Sequence, residues 1–68
     1  MAQLTLFRDQ VKDLVLADDS IVDATNPFSI STDGGNTWIK YETKVVLKAG
    51  NYKVKAKTDS TIILTQKV

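Results

Sequence analysis

Sixty-eight residues, 43% of them hydrophobic and without a single Cys or His, make one small domain (residues 1–68) that neither a disulfide nor a Cys/His zinc site can staple. The missing His also removes Ser-His-Asp and Cys-His catalysis, and no stretch reaches the roughly 20 apolar residues of a membrane-spanning helix. The net charge of +1 is divided: residues 1–36 set Arg8 and Lys12 against six Asp, net −4, and residues 37–68 set seven Lys against Glu42 and Asp59, net +5.

A chain this short buries only about 60% of the surface its unfolded form exposes. With disulfides and zinc gone, oligomerisation or docking on a larger partner is the support left. The acidic and basic halves can attract each other between copies; the preferred reading is that they lie side by side within one copy. Met1-Ala2-Gln3-Leu4-Thr5 has no basic n-region and no long apolar run, so no signal peptide is visible and synthesis is expected in the cytosol.

The elements read as short strands throughout. Gln3 to Arg8 alternates weakly and reads as the first. Residues 8–16 stay open between a short helix with Phe7, Val11, Leu14 and Val15 on one face, and a turn at Asp9-Gln10 followed by a strand from Val11 to Leu16. Asp18-Asp19-Ser20 is a turn and Ile21 to Ala24 a short strand. Pro27 cannot donate to a ladder, so it marks a strand start or edge ahead of Phe28 to Ser31. Thr37 to Tyr41 returns from that strand as a hairpin. Lys44 to Lys48, the turn Ala49-Gly50-Asn51, the strand Asn51 to Lys57, the turn Thr58-Asp59-Ser60 and the strand Thr61 to Thr65 read as a three-stranded meander. In the middle strand Tyr52, Val54 and Ala56 alternate with Lys53, Lys55 and Lys57, one apolar face against one cationic face. The apolar run Ile62-Ile63-Leu64 suggests a strand covered on both sides. The expected fold is all-β: a small antiparallel sandwich or barrel of about six to eight short strands.

One segment carries a sharp motif. Ser31-Thr32-Asp33-Gly34-Gly35-Asn36-Thr37-Trp38 fits Ser-x-Asp-x-Gly-x-Thr-Trp at every fixed position. An Asp at a turn start accepts backbone N–H groups a few residues on, the glycines permit a left-handed backbone, Thr37 bonds back across the loop, and Trp38 is expected to tuck its ring into the core. The segment resembles the Asp-box, a β-hairpin of sialidase propellers and of many other β proteins, phage virion proteins among them. The resemblance covers eight residues, and it implies a structural role for Ser31, Asp33, Gly35, Thr37 and Trp38, away from any active site.

The expected function is non-enzymatic, without cofactor or bound metal. Asp18, Asp19 and Asp23 lack the spacing of an EF-hand loop and read as solvated turns in place of a weak calcium site. The chain looks like a small structural protein of a tailed-phage particle: a capsid decoration, head-fibre, neck or tail accessory subunit. Such a subunit acts through protein contacts with itself, as a homo-oligomer, or with shell or tail proteins, and it resides in the virion. The expected interface uses Leu4, Leu6, Phe7, Leu14 and Leu16. Two other readings stay open. A small carbohydrate-binding module would stack sugars on Trp38, Tyr41 or Tyr52. A single-strand nucleic-acid binder would use Lys53, Lys55 and Lys57 as a polyanion stripe. The near-neutral balance and single Arg disfavour the latter, and lysines on a strand also serve to guard an exposed edge.

Overall fold

A computed structural model describes residues 2–67, so Met1 and Val68 lie outside the described part of the domain. Eight strands form in chain order: β1 (Ala2–Leu6), β2 (Lys12–Leu16), β3 (Ser20–Ala24), β4 (Phe28–Ser31), β5 (Ile39–Tyr41), β6 (Val45–Leu47), β7 (Gly50–Lys55) and β8 (Ser60–Gln66). They make two four-stranded antiparallel sheets, A in the order β1-β8-β3-β6 and B in the order β2-β7-β4-β5. The fold is a β-sandwich, and it has no helix among the described residues.

The pairings are nested. Strand β4 pairs with β5, β3 with β6, β2 with β7 and β1 with β8. The chain is one long antiparallel ribbon with its tip at the β4–β5 loop, rolled up so that β8 also meets β3 and β7 also meets β4. This is the strand order of a jelly roll.

Side-chain alternation explains the two layers. Leu6, Val22 and Ile62 point inward from sheet A; Leu14, Leu16, Phe28, Ile30 and Val54 point inward from sheet B, and all are buried. Between these layers Leu4, Tyr41, Tyr52 and Leu64 pack against the same core. The open choice for residues 8–16 resolves as turn plus strand. Gln10 N–H donates to the Phe7 carbonyl at 2.9 Å, and Asp9 takes a φ of 61° between them. A helix here would have left Leu14 and Leu16, both facing inward from β2, on different faces.

The meander is not formed. Consecutive strands β6, β7 and β8 alternate between sheets A, B and A. The turn at Ala49-Gly50 therefore crosses the sandwich and closes no hairpin. Leu47 and Val45 pack on the same core as Tyr52 and Val54, but from the opposite sheet, which local alternation cannot reveal. Likewise β8 is covered on one face only: Ile62 is fully buried, whereas Ile63 looks outward between Gln3 and Asp23 and is half-buried.

Candidate functional site

The β4–β5 tip is built by Ser31 and Asp33. Ser31, buried at the end of β4, donates its hydroxyl to Asp33 at 2.7 Å and accepts the N–H groups of Asp33 and Gly35 at 3.3 and 2.9 Å. The Asp33 carboxylate then accepts the Thr37 N–H at 2.9 Å and the Thr37 hydroxyl at 2.5 Å. Gly34 and Gly35 carry φ values of 77° and 100°, a backbone that side chains rarely adopt. The eight-residue segment thus forms a self-contained hydrogen-bonded loop.

Thr37 and Ser31 hold the Asp33 carboxyl well below its ordinary value of 3.8, with the Thr37 hydroxyl the largest cause. A depressed folded-state pKa means that the unfolded chain binds the extra proton. The associated stability is present above the ordinary value and is lost as the pH falls below it. In Asp33→Asn the decline of the thermal midpoint from about pH 5 to about pH 2 is expected to be shallower than in wild type. Parallel declines would remove Asp33 from the acid response.

Trp38 departs from expectation. Its ring does not enter the core; it lies half-buried on the outer face of sheet B. There the indole N–H donates to the Gly35 carbonyl at 3.1 Å, and Lys55 Nζ stands 4.2 Å from the ring centroid. The cause is register: Lys40 lies opposite Ser29 and Tyr41 opposite Phe28, so Trp38 shares the outward phase of Lys40.

The lysines are likewise redistributed. Strand β7 is interior to sheet B, so Lys53 and Lys55 guard no edge. Lys53 reaches its cross-strand neighbour Asp13 at 2.6 Å, and both are on the outer face. Such a partly exposed pair contributes about 0–1 kcal/mol. Lys55 is engaged with Trp38, and Lys57 lies beyond the end of β7 and is exposed. The stripe is therefore not a row of three equivalent free charges. Instead Lys40, Lys55 and Lys57 rim a shallow hollow of about 430 Å³, with Pro27 and Phe28 in its lining and Asp9 as its one carboxylate. Lys40 joins Lys55 through Ser29 on the strand between them, a neighbourhood that sequence spacing does not specify.

The expected interface is mostly core. Leu6, Leu14 and Leu16 are buried at 0%, 3% and 5% exposure, and Leu4 packs against them. A strand's inward residues and a partner-facing residue look alike in sequence. Of the five only Phe7 is exposed.

The aspartates at the turns act as fasteners. Asp19 accepts the Ala49 N–H at 3.0 Å, Asp23 the Ala24 N–H at 2.8 Å, and Asp59 the Arg8 N–H at 2.8 Å. No group of three or more His, Cys, Asp or Glu stands together among the described residues. Tyr41 and Tyr52 pack on the core, Tyr41 with its ring 5.8 Å from Phe28, which leaves Trp38 as the outward aromatic of the three.

No protein-family model, curated protein or solved structure matches the chain.

Proposed function

We propose that the chain is a non-enzymatic structural subunit of a phage-type virion, a capsid decoration, head-fibre, neck or tail accessory protein acting through protein–protein contacts. It is made in the host cytoplasm and resides in the particle. The observation that carries the reading is the strand order. Jelly rolls serve in viral capsid and lectin domains, and this one is wound from 68 residues around a self-bonded Asp-box tip. The support is architectural analogy. The test is antibody labelling of phage particles purified from lysates that contain the chain. Intact particles should carry the label, whereas a chain found only in the supernatant after particles are pelleted would refute the proposal.

A second reading has its own observation: Lys55, which rims the hollow, also stands over the Trp38 ring. It is a carbohydrate-binding module with an acidic glycan as ligand. Adding a sulfated oligosaccharide should change Trp38 fluorescence, and binding should weaken steeply with salt. An unresponsive Trp38 removes this reading. An equal response to a single-stranded oligonucleotide would recast the face as a general polyanion site.

A further inference from the structure

The sandwich has four edge strands: β1 and β6 in sheet A, β2 and β5 in sheet B. Links of five residues (7–11) and three residues (42–44) join β1 to β2 and β5 to β6. Lys12 of β2 donates to the Thr5 carbonyl of β1 at 2.8 Å, which sets those two edges side by side. The edges therefore come in two pairs, β1 with β2 on one side of the sandwich and β6 with β5 on the other.

Two of these edges lack charged guards, whereas β2 carries Lys12 and Asp13 and β5 carries Lys40. Neither β1 (Ala-Gln-Leu-Thr-Leu) nor β6 (Val-Val-Leu) carries a charge or a proline. The exposed large hydrophobics are Phe7, Val11, Val15, Ile39 and Val46. Each lies on an edge strand or directly beside one. Val15 is 69% exposed and Val46 53%. An edge of free N–H and C=O groups is complemented by another strand, and a double-layered edge by the edge of another sandwich.

Strand direction permits a translated copy. With four antiparallel strands per sheet, the two outer strands of each sheet run in opposite senses. A copy shifted sideways therefore brings its β6 antiparallel to β1 and its β5 antiparallel to β2, both at once. A two-fold pairing of β6 about Val46 would instead set Lys44 of one copy against Lys48 of the other.

We infer that the chain self-associates head to tail, the β1/β2 side of one copy on the β6/β5 side of the next, extending both sheets into a ring or filament. The inference rests on the reading of the chain as an assembly subunit and names a second copy as its partner.

The experiment uses Gln3→Lys on β1 and Val46→Lys on β6. Both side chains are exposed, so both variants should keep the wild-type melting temperature. Light scattering on a sizing column should show wild-type mass rising with concentration to a multiple of the monomer. Each variant should associate more weakly by about tenfold or more, since an unpaired ammonium is buried at the contact. An equimolar mixture should stop at a dimer, because only the intact β1 of V46K and the intact β6 of Q3K can join. Continued growth of either variant alone overturns the inference. So does a wild type that stays monomeric at every concentration; labelling of virus particles by the same monomer would leave the virion reading standing.

Discussion

Leu6→Ala is expected to lower the free energy of unfolding by about 2–5 kcal/mol, the range for removing a buried leucine side chain. Leu6 is fully buried in sheet A, opposite Ser60 of β8. A domain of this length is stabilised by roughly 3–10 kcal/mol in total, so this one change can unfold most of the population at 37 °C. Phe7, the next residue, is exposed, and Phe7→Ala should shift stability by no more than about 0.5 kcal/mol. Urea titration of both variants makes the comparison. If Leu6→Ala unfolds like wild type while losing self-association, Leu6 belongs to an interface and the core assignment fails.

Asp33→Ala is expected to slow folding several-fold while changing the unfolding rate little. The reason is the order in which the ribbon can close. Strands β4 and β5 are the one pair of chain-consecutive strands that share a ladder. Their loop is the shortest to close, and each outer pair, β3–β6, β2–β7 and β1–β8, encloses the one before. Closing an inner pair shortens the effective loop of the next, so the Ser31–Asp33–Thr37 network should already be formed in the transition state. Stopped-flow folding and unfolding in urea reads both arms. A variant whose effect falls on the unfolding arm alone would place the tip late in folding.

How much of this is legible in the residues follows from what is local. Period-two alternation at Tyr52 to Ala56 marks a strand and its inner face, and Ser31 to Trp38 marks the tip, because a turn's hydrogen bonds lie within a few residues. Which sheet a strand joins is not local. Ala49-Gly50 makes a turn whether the next strand pairs beside β6 or across from it, so the jelly-roll wiring was hidden behind an ordinary hairpin signal. The same limit misplaced Leu14, Leu16 and Trp38, since alternation gives the phase of a side chain but not which face meets the other sheet. The lysine-rimmed hollow needed Lys40 and Lys55 on either side of Ser29, fifteen residues apart in the chain.

The nested ribbon also has a mechanical consequence. Strands β1 and β8 are antiparallel neighbours, with Ala2 opposite Leu64, so Ala2 and the last residues of β8 lie at the same pole of the sandwich. Tension applied through those two points would load the β1–β8 ladder one bond at a time, as a zip opens, and would not shear all its bonds together. Such a fold resists weakly when pulled by its ends. It carries load well only when gripped through its sides, where force acts along many strands at once.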